Sequence, residues 1–331
     1  MFKTNFCELS GISVCVPDQH IDNKKFLKIE NKNKFISSTG VKKHYLDLKR
    51  KISTSKLCLL AANQVIKNLK WKKKDIKFII FISQTRDFIL PSTACIIQSK
   101  LGLSKNVFAY DIPLGCSGFV YGLYTSFLIS KNMKGKGLLL TGDMSSKLIN
   151  FKDKKNAGLF GDAGAAIAIR YDKKIKNPSH FSFGTDGEGY KNLIYNSSGL
   201  NNSSKKEYLK MDGTKIFEFA LREVPTQIEK IINLSKNTLQ SIDYFIFHQA
   251  NKFLINSLTK KLKIPEKKVI YSIDSFGNTN SASIPITIFK NLKNKKNLKV
   301  LVSGFGVGYS WASGIINLSK PKFEKLIKVK I

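Results

Sequence analysis

Residues 107–118, "VFAYDIPLGCSG", carry an apolar run into a glycine-bounded turn and set one thiol, Cys116, between Gly115 and Gly118. The turn opens onto "FVYGLYTSFLIS" (119–130), whose apolar spacing predicts a buried helix. "GLLLTGD" (137–143) follows, a short aliphatic run that suits a sheet covered on both faces. The series then repeats. "VIYSIDSFGNTNSA" (269–282) leads through another glycine turn and helical stretch to "KVLVSGFG" (299–306), and the interval from Cys116 to Thr141 equals that from Asn278 to Ser303, 25 residues in each case.

The likeness extends upstream. "FIIFISQ" (78–84) and "YFIFHQA" (244–250) head the two series, and "FILPSTACIIQSKLGL" (88–103) and "KFLINSLTKKLKI" (252–264) follow them. "TSKLCLLAANQVIKNLKWKKKDI" (54–76) and "TKIFEFALREVPTQIEKIINLSKNTL" (214–239) share an amphipathic helical pattern ahead of each. Each half reads helix, buried strand, helix, strand, sharp turn, buried helix, strand. The sequence therefore predicts an α/β protein of two duplicated halves, 1–172 with the cysteine turn and 173–331 with the asparagine turn, packed as one body. No Pro-, Gly- or Ser-rich linker divides them; only "NSSGLNNSSKKEY" (196–208) reads as an exposed loop.

Composition bounds the function classes. Of 331 residues 42% are hydrophobic, enough for a large core. The formal charge of +33 suggests nucleic acid at first, yet only four of the 56 basic residues are arginine, the side chain that base reading and bidentate phosphate contacts favour. Lysines recur on nearly every polar segment and read as solvated faces; an acidic protein partner is compatible with them, specific nucleic-acid binding is not expected. Five cysteines without a C-x-x-C pair or metal spacing argue for a reducing compartment, with no disulfide framework and no metal site. No apolar run reaches the roughly 18–20 residues that span a bilayer, so a cytoplasmic protein is expected.

If the halves pack about a pseudo-twofold axis, their turns meet, and Cys116, Asn278 and His248, at the end of "FIFH", share a pocket. A thiol, an imidazole and a carboxamide there make a nucleophile, a base or hydrogen-bond donor, and an oxyanion donor. The helix start after Cys116 is expected to lower its pKa. "SGFGVGYSWASG" (303–314) lets backbone amides approach a bound carbonyl, so the N–H groups of Val307 and Cys116 are candidates for an oxyanion hole. The chain order Cys, His, Asn also occurs in papain-like proteases, but their cysteine signature is absent and a duplicated α/β chain is not their fold.

"GCSGF", "FGDAGAA" (160–166), "HQAN" (248–251), "GNTNSAS" (277–283) and "GFGVGYSW" (304–311) resemble the β-ketoacyl-acyl carrier protein synthase III group of the thiolase superfamily, over nearly the whole chain. The resemblance implies a five-layered αβαβα fold, a homodimer, and decarboxylative Claisen condensation of an acyl-CoA primer with malonyl-acyl carrier protein, initiating fatty acid synthesis without a cofactor. It makes Cys116 the acyl acceptor and gives the enolate to His248 and Asn278. It sets Phe305 and Gly306 beside the substrate and Leu90 where a phenylalanine often closes the partner's acyl pocket. It also implies that Lys252, Lys260 and Lys261 meet the acidic carrier protein. Lys34, Ser38 and Lys154 stand where members clamp CoA with tryptophan and arginines. That departure keeps a second expectation open, a specialised relative passing its acyl group to another acceptor or extender in surface-glycan or secondary-metabolite synthesis.

Overall fold

The computed structural model describes residues 1–196 and 207–330, so most of the expected loop at 196–208 lies outside the described residues. The first half comprises β1 (Cys7–Pro17), α1 (Thr54–Asn68), β2 (Ile76–Ile82), α2 (Thr93–Leu101), β3 (Phe108–Ile112), α3 (Gly118–Met133), β4 (Lys136–Asp143) and β5 (Ala163–Tyr171). The second comprises β6 (Ser179–Thr185), α4 (Gly213–Leu234), β7 (Tyr244–Phe247), α5 (Lys252–Lys261), α6 (Ser283–Asn291), β8 (Leu298–Gly306) and β9 (Ser310–Leu318).

The two sheets follow one plan. The first runs β1-β5-β4-β2-β3 and the second β6-β9-β8-β7, so strands of like position in each half occupy like places. Pairing directions agree as well: β2–β4 and β7–β8 are parallel, while β4–β5, β8–β9, β5–β1 and β9–β6 are antiparallel. Val269, in the stretch predicted to mirror β3, forms only an isolated parallel bridge with Phe245 before the chain turns into the short helix Ile273–Phe276. The chain ends cross between the sheets. Phe2–Thr4 pairs with β6, and Lys322–Phe323 and Ile327–Val329 pair with β1, so each sheet is finished by the other end of the chain.

Three cores stack these elements into five layers. Between the sheets, Phe119, Leu123 and Phe127 of α3 and Ile284 and Ile288 of α6 pack on Ile80 and Leu139 from one side and on Ile246 and Val302 from the other. Outside the first sheet, Leu57, Ala61 and Val65 of α1 and Ile97 of α2 cover Ile79 and Leu138. Outside the second, Phe219, Ile228 and Leu258 of α4 and α5 cover Phe245 and Leu301. With helices on both faces, the central strands bury nearly all of their residues beyond their first one or two, which is why they read as aliphatic runs. α3 lies very close on the first sheet: a Cβ on Gly122 would meet Ile82 Cδ1 at 2.2 Å. The same helix contacts the turn Asn280–Ala282 that leads into α6, which brings the Cys116 turn and the Asn278 turn together.

Candidate active site

Cys116 lies two residues before α3 and is almost fully buried. Its turn closes through a hydrogen bond from the Gly118 N–H to the Gly115 carbonyl at 2.8 Å. The thiol packs beneath the β8–β9 hairpin: a Cβ on Gly306 would lie 3.0 Å from Cys116 Sγ, so only glycine fits there. Burial pushes the thiol up to about 12, the carboxylate of Asp143 adds to the rise, and the backbone N–H groups of Cys116 and Val307 pull against it. The expected lowering at the helix start is thus reversed, because desolvation outweighs the local dipoles. Cys116 and Val307 both line the same cavity, and their amides lie near enough to the sulfur to oppose that rise. The hairpin turn is tied down from both sides, since Ser310 Oγ donates to the Val307 carbonyl at 2.9 Å and shares a 2.7 Å hydrogen bond with Ser117 Oγ.

His248 follows β7 and donates its backbone N–H to the Ser303 carbonyl of β8 at 2.7 Å. Its ring meets Phe305 edge-on, with centroids 5.9 Å apart. Nδ1 lies 2.7 Å from Ser283 Oγ, which also accepts the Gln249 N–H at 3.3 Å. A serine proton donated to Nδ1 leaves the proton of a neutral ring on Nε2. Burial lowers the ring to about 3, with a backbone hydrogen bond at Asn280 as the smaller opposing influence.

Asn278 is clamped by the other half of the chain. Its N–H donates to the Leu159 carbonyl and its own carbonyl accepts the Gly161 N–H, both at 2.9 Å. Gly277 just before it has φ 68°, and a Cβ there would lie 2.8 Å from the Leu159 oxygen. Asn278 Oδ1 accepts the Asn280 N–H at 3.0 Å, which turns Nδ2 outward as a donor.

Cys116, His248, Asn278, Phe305, Gly306 and Val307 all line one cavity of about 650 Å³. Leu90, Lys154, Lys252, Lys260 and Lys261 do not. Leu90 is 80% exposed on the surface, and the Lys154 ammonium rests 4.8 Å above the Phe26 ring. Lys252, Lys260 and Lys261 lie on the exposed side of α5, Lys261 donating to the Leu221 carbonyl at 2.8 Å.

Sequence reasoning missed Asp143, at the end of β4. Fully buried, it accepts hydrogen bonds from Gln84 N–H (2.8 Å), Ser83 Oγ (3.2 Å) and Thr85 Oγ1 (3.4 Å) in its own half, and from Ser281 N–H (3.3 Å) and Oγ (2.8 Å) in the other. An acid ending a buried aliphatic strand was the available signal. Among the described residues no cluster of His, Cys, Asp or Glu could hold a metal ion, and no helix is long and apolar enough to cross a membrane.

Comparison with known proteins agrees with this architecture. Residues 110–187 match the family model described as 3-oxoacyl-[acyl-carrier-protein (ACP)] synthase III, and residues 233–318 match the model of its C-terminal part. The β-ketoacyl-[acyl-carrier-protein] synthase III of Lactococcus lactis subsp. lactis is 32% identical over 95% of this chain and 99% of its own length. That of Streptococcus agalactiae serotype III is 34% identical over the same shares. The crystal structure of a 3-oxoacyl-(acyl-carrier protein) synthase from Burkholderia xenovorans superposes with a TM-score of 0.94 at 33% identity, covering 99% of this chain and 98% of that one.

Proposed function

Because the chain belongs to the 3-oxoacyl-[acyl-carrier-protein] synthase III family, we propose that its cavity joins a primer to malonyl-acyl carrier protein with Cys116 as the nucleophile. The protein is a condensing acyltransferase that opens fatty acid synthesis. In our reading, Cys116 Sγ attacks the thioester of an acyl-CoA; the tetrahedral oxyanion meets the amides of Cys116 and Val307, and the CoA thiol leaves with the cysteine proton. Malonyl-carrier protein then enters and loses CO₂. His248 Nε2–H and Asn278 Nδ2–H donate to its thioester oxygen as the enolate forms, and the carbanion attacks the acyl-cysteine. A neutral imidazole is the form this step needs, and burial keeps it so.

The observation that carries the reading is a single cavity lined by the buried thiol of Cys116 together with His248, Asn278 and Val307. Substrates are the only small molecules required, with no cofactor. Phe305 and Gly306 would border the bound thioester, Lys252, Lys260 and Lys261 would steer the acidic carrier protein, and Leu90 would reach a partner subunit in a cytoplasmic homodimer. The test supplies acyl-CoA and malonyl-carrier protein and follows CO₂ and β-ketoacyl product. Wild type gives both and a mass adduct with acyl-CoA alone; Cys116→Ala gives neither product nor adduct. An adduct that persists in Cys116→Ala refutes the assignment.

One observation favours a second reading, transfer of the acyl group to another acceptor or extender. Lys154 rests on the Phe26 ring and does not line the cavity, which weakens a CoA clamp through this side chain. The same assay separates the two, because the second reading gives the adduct without β-ketoacyl product.

A further inference from the structure

Cys116 Sγ donates to Asn280 Oδ1 across 3.8 Å, a sulfur-length hydrogen bond. Asn280 Nδ2 is committed to Ser145 Oγ at 2.9 Å, which fixes the carboxamide with its oxygen toward the thiol. The residue sits in left-handed backbone, φ 46°, a region asparagine tolerates better than most. On the other side of the nucleophile stands Gln84. Its Oε1 lies 2.2 Å from where a Cβ on Gly115 would be; the residue is exposed, and its carboxamide has no protein hydrogen-bond partner among the described residues. Gln84, Ser145 and Asn280 line the cavity together with Cys116.

Acylation changes this cluster. The Sγ–acyl bond forms, the donor's carbonyl–sulfur bond breaks, and the leaving thiol takes the cysteine proton, so Asn280 Oδ1 loses its donor. The first carbons of any acyl group then lie among an acceptor stripped of its partner, an uncommitted carboxamide and a serine hydroxyl whose hydrogen is unused. A plain alkyl chain pairs with none of them while it covers them from water, and a polar group both covered and unpaired is costly. Resting on the acyl-enzyme reading above, we propose that the primer carries a hydroxyl within two or three carbons of its thioester carbonyl, and that Asn280 and Gln84 select for it. Sites that hydrogen-bond a substrate hydroxyl discriminate against analogues lacking it more sharply than apolar pockets do.

The experiment measures the rate of Cys116 adduct formation on the full chain by intact mass. Acetyl, butyryl and 3-hydroxybutyryl groups are each offered as CoA and as N-acetylcysteamine thioesters, so that weak nucleotide contacts do not mask a preference. Wild type is expected to load 3-hydroxybutyryl about tenfold or more faster than butyryl. Gln84→Leu and Asn280→Gly should each bring that ratio close to one; glycine is chosen because it accepts the positive φ. Equal or faster butyryl loading by wild type overturns the inference and leaves the acyl-cysteine standing, and so does a ratio retained in both variants. Failure of every thioester to load folded wild type overturns the acyl-enzyme reading itself, and the selection with it.

Discussion

His248 is buried among β7, β8 and α6 and held on Nδ1 by Ser283, so its ring stays neutral and presents one donor. With its pKa lowered to about 3, the imidazole does not titrate in the range where an ordinary histidine would. CO₂ release from malonyl-carrier protein by acylated enzyme should therefore show no inflection near pH 6–7 attributable to this ring. His248→Ala should slow that release by roughly 10²–10³, the usual cost of one oxyanion donor, while leaving the Cys116 adduct rate within a few fold. A wild-type inflection near neutrality that disappears in His248→Gln contradicts the neutral-donor role. The sequence expected His248, Cys116 and Asn278 in one pocket, and all three line one cavity, because each follows a recognisable strand or turn signal. It misjudged the thiol, whose helix-start position argues for a low pKa, because the depth of burial that reverses the sign depends on the hairpin around Gly306. Asn280 and Gln84 were not singled out at all: one is the second asparagine of "GNTNSAS", the other a polar residue just past β2, and only folding sets them beside the sulfur.

Among the elements, Asp143 joins β4 of one half to the Ser281 turn of the other. Its removal leaves the Gln84 and Ser281 N–H groups without partners, so Asp143→Ala should cost about 3 kcal/mol in urea unfolding. The pH dependence has a definite sign. Burial raises the carboxyl to about 6 in the folded chain against 3.8 unfolded, so its ionisation penalty is fully present above pH 6 and fades as the pH falls toward 4. The stability of wild type relative to Asp143→Asn should therefore increase on acidification over that window, and a gap that stays constant or shrinks would show the carboxylate is not held as described. Much of this level was readable from the sequence. α1, α2, α3, α4, α5 and the strands β2, β4, β7 and β8 fall where periodicity set them, since fully covered strands and one-sided helices leave strong patterns. The stretch at 269–272 has strand-like composition, yet the chain must reach Gly277 against Leu159 and makes one bridge only. The exchange of the chain ends was illegible, because strands of two or three residues carry no period and their partners are far away in sequence. We propose 1–172 and 173–331 as the two ancestral halves, an assignment supported by the shared strand order and consistent with those short end strands being later additions.

At the scale of the whole molecule, the high positive charge is spread over the surface and partly spent on structure: Lys268 Nζ donates to the carbonyls of Leu239, Gln240 and Ile242. The apolar exposure is more localised. β3 ends the first sheet with one edge open, and Phe108 on it is 49% exposed. Its Asp111 accepts hydrogen bonds from Ser92 Oγ and from the Thr93 and Ala94 N–H groups at the start of α2. This ties the open edge to the segment Phe88-Ile89-Leu90, which is 58%, 68% and 80% exposed. A bare strand edge flanked by four large apolar side chains invites uncontrolled association unless it is covered. We propose that a second copy related by a twofold axis would cover it with the same patch and continue the sheet antiparallel across the axis. Gln84, four residues before that segment, lines the cavity, so the same dimer would bring each Leu90 toward the partner's acyl site. Sedimentation should give a dimer at micromolar concentration for wild type. Phe108→Asp with Leu90→Asp should give a monomer that loads its acyl group at least about tenfold more slowly, since a 1 Å misplacement of reacting groups already costs about a hundredfold. A wild-type monomer with full condensing activity, or a double variant that stays dimeric, rules out this surface as the interface.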